Sequence, residues 1–269
     1  MLGGCSSHNG MVFVRGNPLD FERWASYDLP KWSYKNVLPY FKKLETWSGG
    51  ENLYRGGNGP LKVNRSKIDE TFPLFKSLIK AAAEAGYDTF EDSNGFKQDG
   101  FGTFDVTIDN GKRQGVSRAY LNEINGYKNF SIEHNTDVSK IIFKEKKAIG
   151  VEVKRNKNHT DIYYCNKEVL LSSGSINSPK ILQLSGIGDE KILNKNGIHV
   201  VNHLPGVGKN LQDHLEIYVQ HKSKIKDTLY NLSTNYFTQA IEGAKWFLFK
   251  KGMLTYSHLE VGGLSLIHI

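Results

Sequence analysis

Two rhythms of apolar residues run along the 269-residue chain. From residue 130 the period is two: Ile149, Val151 and Val153 alternate with Gly150, Glu152 and Lys154, and residues 138–143, 148–154 and 162–165 are expected to form three strands of a meander. Residues 168–172, Glu-Val-Leu-Leu-Ser, form an unbroken apolar run that suits a strand buried on both faces. Elsewhere the period is helical. Val37, Leu38, Phe41 and Leu44 share one face of a short helix over residues 36–46. Leu74, Leu78, Ile79 and Ala82 form the stripe of a core-facing helix that Thr71 caps, Pro73 opens and Gly86 ends. Tyr236, Phe237, Ala240, Ile241, Ala244, Phe247 and Leu248 describe a third helix, ended by Gly252. Residues 16–20, 49–59, 92–95 and 98–102 carry turn and loop residues, and 21–25 is a short aromatic-rich segment around Trp24.

Small residues gather at two places. The chain opens Met1-Leu-Gly-Gly-Cys-Ser-Ser-His-Asn-Gly-Met-Val-Phe-Val-Arg-Gly16, in which Gly3 and Gly4 permit positive φ and close approach to a flat ligand, and Cys5, Ser6 and Ser7 add only short side chains. After the apolar run, Ser173-Gly-Ser-Ile-Asn-Ser178-Pro179 is a glycine turn, an N-cap serine and a proline at the first helical position. Strand, tight turn and helix together point backbone N–H groups at an anion.

Composition changes this picture little. The net charge of +7 comes from scattered lysines, the longest basic clusters being doublets such as Lys42-Lys43, so a solvated surface is expected and not a nucleic-acid site. No stretch approaches the roughly 18–20 apolar residues of a membrane span. Cys5 and Cys165 cannot define a disulfide framework or a zinc cluster. Sequons begin at Asn64, Asn129, Asn158 and Asn231, which tilts the expectation toward an extracellular, secreted protein. A Gly-x-Gly-x-x-Gly fingerprint is missing, since Gly206-Val-Gly208-Lys-Asn-Leu211 fails at its third glycine.

The opening motif resembles the signature of the glucose-methanol-choline (GMC) flavin oxidoreductases, with Cys5 in its first hydroxyl position. Arg15-Gly-Asn-Pro-Leu-Asp20-Phe-Glu-Arg-Trp24 resembles the family's lid sequence, most closely that of insect glucose dehydrogenase-like members. The landmarks Asn94-Gly95, Gly100-Phe-Gly102 and Asn110-Gly-Lys-Arg113 are similar as well. Residues 174–188 match the second family signature, and Leu204-Pro-Gly-Val-Gly-Lys-Asn-Leu-Gln-Asp-His214 is a third matching block.

The resemblance implies an α/β fold, a Rossmann-like FAD-binding domain interleaved with a substrate domain that holds an antiparallel sheet. FAD-binding residues would be 1–30 and 114–215, and substrate-domain residues 31–113 and 216–269. It implies oxidation of the CH–OH group of an alcohol or sugar, with hydride passing to flavin N5 and electrons then to oxygen or a quinone. Gly3, Gly4, Ser6, Ser7, Asn9, Gly10 and Met11 would line the isoalloxazine, Val138 would meet the adenine, and Gly174 and Ser175 would approach the nucleotide half. His8 falls where some members bond FAD covalently. Read locally, His8 is equally a satisfied polar histidine, Asn9 a turn residue, and 174–179 a plain turn and cap. The dinucleotide fingerprint and the catalytic histidine are expected outside this chain, which reads as the middle of an enzyme, inactive alone and exposing apolar faces. A non-catalytic flavin- or partner-binding relative is the competing reading, and a basic module without cofactor the third. His214, beside Asp213, is read as structural, and His258 and His268 lack the flanking pattern of a catalytic base.

Overall fold

The computed structural model describes residues 1–66, 73–156, 159–213, 216–222, 224, 229–257 and 259–265. Thr71, His214, His258 and His268, together with the end of the tail, lie outside the described residues. The chain divides into two compact units, residues 1–130 with 221–269, and residues 131–220.

The first unit mixes short strands and helices. Strand β1 (Val12–Phe13) leads into helix α1 (Pro18–Ala25), which starts inside the segment expected to be a turn. Asn17 caps it by accepting from the Leu19 N–H at 2.9 Å, and Pro18 supplies a preset φ at the first helical position. Helix α2 (Tyr34–Leu44) follows with Val37 buried, then β2 (Glu45–Trp47) and β3 (Leu61–Arg65). Helix α3 (Pro73–Glu84) ends at Gly86, whose φ of 85° suits glycine. Its expected stripe is only partly inward. Ala82 is buried and Ile79 half-buried, whereas Leu74 and Leu78 are exposed.

Residues 98–102, read as a turn, contain strand β4 (Gly100–Thr103), followed by β5 (Asp105–Val106). The turn residues there serve close packing: a Cβ on Gly102 would meet Phe90 at 2.5 Å. Strands β6 (Ile108–Asp109) and β7 (Lys112–Arg113) form a hairpin through Asn110 and Gly111, both at positive φ. A π-helical turn (Ser117–Leu121) and α4 (Asn122–Ile124) follow.

In the second unit the meander is as expected: β8 (Asp137–Lys144), β9 (Lys147–Asn156) and β10 (His159–Tyr164) pair antiparallel in the order β10-β9-β8. The apolar run 168–172 is a correction to the sequence reading. It forms no strand, and Leu170 is 81% exposed. A doubly buried strand exists only between hydrogen-bonded neighbours, and no described strand pairs with this one. Helix α5 begins earlier than expected, at Gly174 (Gly174–Leu184), so Pro179 lies inside it and cannot donate to the Ser175 carbonyl. Strands β11 (Ile187–Gly188) and β12 (Asn202–His203) pair in parallel, with α5 before them and α6 (Glu190–Lys195) between.

The first unit closes with α7 (Leu229–Thr234), α8 (Tyr236–Phe249) and β13 (Val261–Leu264). Its sheets run β1-β5-β3-β2 and β13-β4. None of the described helices is long and apolar enough to cross a membrane.

Candidate active site

The opening motif folds as one tight turn. Residues Gly4–Ser7 form a 3-10 helix entered through Gly3 at φ 84°, with Gly4 at φ 52° and Met11 at φ 62°. The Ser6 hydroxyl donates to Gly3 O at 2.5 Å and the Ser7 hydroxyl to Leu2 O at 2.6 Å, so both serines are spent on holding the backbone. Asn9 Oδ1 accepts from the Met11 N–H at 3.1 Å, the turn role that its residue type suggested. His8 ends the helix and is exposed.

Residues far along the chain clamp this turn. Arg113 Nη1 donates to Ser6 O at 3.2 Å, Asn9 O at 2.7 Å and Asn9 Oδ1 at 2.8 Å. The Val116 N–H donates to Ser6 Oγ at 2.9 Å, the Thr107 N–H to Met11 O at 2.8 Å, and the Ser257 hydroxyl to Gly10 O at 2.6 Å. In the sequence Arg113 stands in a landmark motif that gives no sign of this role. Ser257 carried no signal, because 247 residues separate it from its partner.

Just beyond the turn, Arg15 enters a buried ion cluster. Its Nη2 meets Glu45 Oε1 at 2.8 Å, and its own N–H donates to Asn94 Oδ1 at 2.7 Å. Arg55, fully buried, reaches Glu45 at 2.8 Å, Asp92 at 2.7 Å and Asp105 at 2.6 Å, and lies 4.4 Å over the Trp47 ring. Arg65 closes the set on Asp105 at 2.6 Å. Burial disfavours the charge on Arg15 and outweighs Glu45, lowering its pKa. Burial acts the same way on Arg55, but hydrogen bonds to Glu45 and the charge of Asp105 overcome it and raise its pKa. The cluster is structural: it fixes the chain where it leaves the turn.

The second signature stands in the other unit. Gly174 has φ 85° at the start of α5, whose N-cap residue is Ser173 without a side-chain cap bond; Ser178, expected as the N-cap, lies inside the helix, where its Oγ accepts from the Ser173 N–H at 3.0 Å. Ser175, Ile176, Pro179 and Gln183 on α5 face Gly208–Gln212 across an open groove of about 420 Å³. Helix α5 is docked on β8 by Ser185, whose hydroxyl accepts from the Ile141 N–H at 2.7 Å. Val138 lies on that same strand, 40% exposed.

A test of fit for a large flat cofactor comes from the glycines. A Cβ on Gly4, Gly174 or Gly206 would meet nothing within 4 Å. At Gly4 and Gly174, as at Gly50, Gly86, Gly126 and Gly197, the backbone bends through positive φ with no packing neighbour at the Cβ position, so these turns leave bare backbone. Each turn by itself leaves backbone uncovered where part of a dinucleotide would find room. Among the described residues no group of His, Cys, Asp and Glu could hold a metal ion.

A mixed α/β fold, a tight glycine turn near the start of the chain and a groove at the start of α5 together point to a class. The GMC oxidoreductase family model matches residues 1–216, and the chain belongs to that family, which makes FAD the cofactor. Among characterised proteins it is similar to the oxygen-dependent choline dehydrogenases of Staphylococcus xylosus, 46% identical over 267 residues, and Photobacterium profundum, 42% identical over 260 residues. These matches cover 98% and 97% of this chain but 47% and 45% of the relatives, so the chain spans about half their length. Among solved structures, an FAD-dependent oxidoreductase from Chaetomium thermophilum is 33% identical with a TM-score of 0.87, covering 96% of this chain and 47% of that one. A formate oxidase is 26% identical at a TM-score of 0.84, covering 98% and 47%.

Proposed function

We propose that this chain contributes the flavin-holding part of an oxidoreductase that oxidises the CH–OH group of a small alcohol, with oxygen as electron acceptor. When bound, FAD accepts a hydride from the substrate carbon. The protein's own contribution is orientation. Gly3, Gly4, Ser6, Ser7, Asn9, Gly10 and Met11 present backbone to the flavin ring, and Arg113 locks the Ser6 and Asn9 carbonyls. In the other unit, Gly174 and Ser175 at the start of α5 carry the nucleotide, where backbone N–H groups favour phosphate, and Val138 contributes beside the adenine. His8, exposed at the end of the turn, is the residue for a covalent bond to the flavin.

The observation that carries this reading is the clamped turn: two glycines at positive φ with empty space before Gly4 and a guanidinium fixing the Ser6 and Asn9 carbonyls. The choline dehydrogenases favour an amino alcohol over a sugar as substrate, and their oxygen dependence favours oxygen over a quinone.

The test is anaerobic titration of the FAD-loaded full-length enzyme, which carries the catalytic histidine expected outside this chain. Choline is expected to bleach the visible flavin band, glucose is not, and readmitted oxygen should restore the band with release of hydrogen peroxide. Bound flavin that no alcohol bleaches would favour a non-catalytic flavin-binding relative, and a protein that takes up no FAD would overturn both. Acid precipitation reads the covalent bond: the pellet stays yellow in the wild type and loses its colour in His8→Ala.

A further inference from the structure

Residues 257 and 259–264 form a strap along one side of the flavin-lining turn. The Ser257 hydroxyl holds Gly10 O at 2.6 Å, and Leu259 Cδ1 lies 3.1 Å from the point where a Cβ would stand on Gly10. Glu260 O accepts from the Phe104 N–H at 2.8 Å, and β13 then pairs with β4 from Val261 opposite Thr103 to Leu264 opposite Gly100. The strap carries one carboxyl into the interior. Glu260 is 1% exposed, and neither carboxyl oxygen has a hydrogen-bond partner. The Ser66 hydroxyl is buried and equally unpartnered. It and the Ser257 amide are the polar groups beside the carboxyl, and both oppose the effect of burial on it.

Charged groups on the neighbouring elements are engaged. Arg65 pairs with Asp105, Lys80 with Glu84 and Lys97 with Asp88, and Lys76 has a partner of its own. None of them acts on Glu260. The site mechanism leaves this group unexplained, and buried polar atoms without partners are rare enough to need a reason.

Resting on the flavin reading above, we propose that Glu260 is a positioning residue for the flavin-lining turn, a buried carboxyl that anchors the strap and, through Ser257 and Leu259, holds Gly10 and Met11 in place. It does so as the neutral acid. With no cation to offset it, burial pushes the carboxyl from its ordinary 4.5 up to about 7. The sign follows from proton counting. Between those two values the folded chain keeps a proton that the unfolded chain has lost. Stability from this group is therefore present below about 4.5 and lost as pH rises through about 7. Ionised, the carboxylate must draw in water or lift the strap, and either loosens Gly10.

Three variants test this with readouts beyond turnover. In Glu260→Gln, an uncharged isostere, the fall in melting temperature between pH 5 and 7 should be smaller than in the wild type, while hydrogen exchange over residues 9–14 stays near wild type. In Glu260→Ala a strap no longer held in place should release the Ser257 clasp on Gly10, so that exchange should quicken about tenfold and FAD affinity fall about tenfold, the loss of roughly that one hydrogen bond. Should Glu260→Ala fail to fold, Ser257→Ala severs only the clasp on Gly10 and should show the same two effects. The proposal is overturned if Glu260→Gln keeps the wild-type pH slope, or if the foldable one of Glu260→Ala and Ser257→Ala leaves exchange and FAD affinity unchanged. Exchange is measured without added FAD, so a wild type that binds no flavin sinks the functional reading while exchange still judges the strap.

Discussion

The two glycine turns are built to different tolerances. The turn at Gly3–Met11 is held from four sides by Arg113, Val116, Thr107 and Ser257, and its exit is anchored at Arg15 among ion pairs whose side chains are almost wholly buried. The turn at Gly174 is held by one serine oxygen and opens on a groove whose lining is largely exposed. Under the functional reading the difference is physically sensible. Hydride transfer needs a ring fixed in angle and distance, whereas a nucleotide tail needs only N–H groups and room.

The sharpest way to break the comparison is to remove the anchor of the first unit. Arg55→Met leaves Glu45 and Asp105 buried without their main partner, and losing one partner of a buried ion cluster costs about 3–5 kcal/mol. Urea denaturation should show that loss, or the protein should not accumulate in soluble form. Among the described residues the second unit has no equivalent. Its largest ion network, Arg155 with Glu133 and Asp161, is partly exposed, so Arg155→Ala should leave the melting temperature almost unchanged.

Arg113→Ala comes next. It deletes three bonds from a charged donor to the turn, worth together about 1.5–3 kcal/mol, so FAD should bind about ten- to a hundredfold more weakly in a fluorescence titration. The melting temperature of the FAD-free protein should move far less than in Arg55→Met. Equal FAD affinity in wild type and variant would show that the turn does not need its clamp.

A smaller effect separates two glycines that share φ 85°. Alanine at either position meets the left-handed penalty of about 1–2 kcal/mol. At Gly174 the new methyl meets nothing within 4 Å, but at Gly186 it would stand 2.3 Å from His199 O. Gly186→Ala should therefore lower the melting temperature more than Gly174→Ala, and Gly174→Ala should weaken FAD more than Gly186→Ala. The reverse ranking would mean that the α5 turn does not face a ligand.

Local features were legible in the sequence, and long-range ones were not. The meander showed itself because Ile149, Val151 and Val153 alternate within a single segment, and the tight turn at Gly3–Met11 because its glycines and serines are contiguous. The clamp was half visible, since Arg113 stood in a recognisable landmark while its acceptors lay over a hundred residues away. The ion cluster was invisible: Arg55 sits in a stretch that reads as a glycine-rich loop, and nothing local says that Glu45 and Asp105 converge on it. The run 168–172 misled because apolar content reports a wish for burial, and only pairing partners decide whether a strand forms. Asn17-Pro18 was read as turn chemistry, yet the same two residues are a cap and a first helical position.

The smallest expected effect lies at the rim of the groove. Asp189 caps α6 by accepting from the Lys191 N–H at 3.0 Å and pairs with Lys209 at 3.2 Å, beside Gly208 and Asn210 of the groove lining. The Lys209 bond is the main reason its carboxyl sits below the ordinary 3.8, with burial opposing and the Lys191 and Ile192 N–H groups assisting. A depressed carboxyl contributes stability above its unfolded value and loses it as pH falls through the folded one. Asp189→Asn keeps the cap, because asparagine caps as well as aspartate, and removes only the attraction to Lys209. The variant should melt slightly below wild type at pH 7, and the gap should close once the wild-type carboxyl is itself protonated. A gap that persisted in acid would mean that the cap, and not the ion pair, holds this rim of the groove.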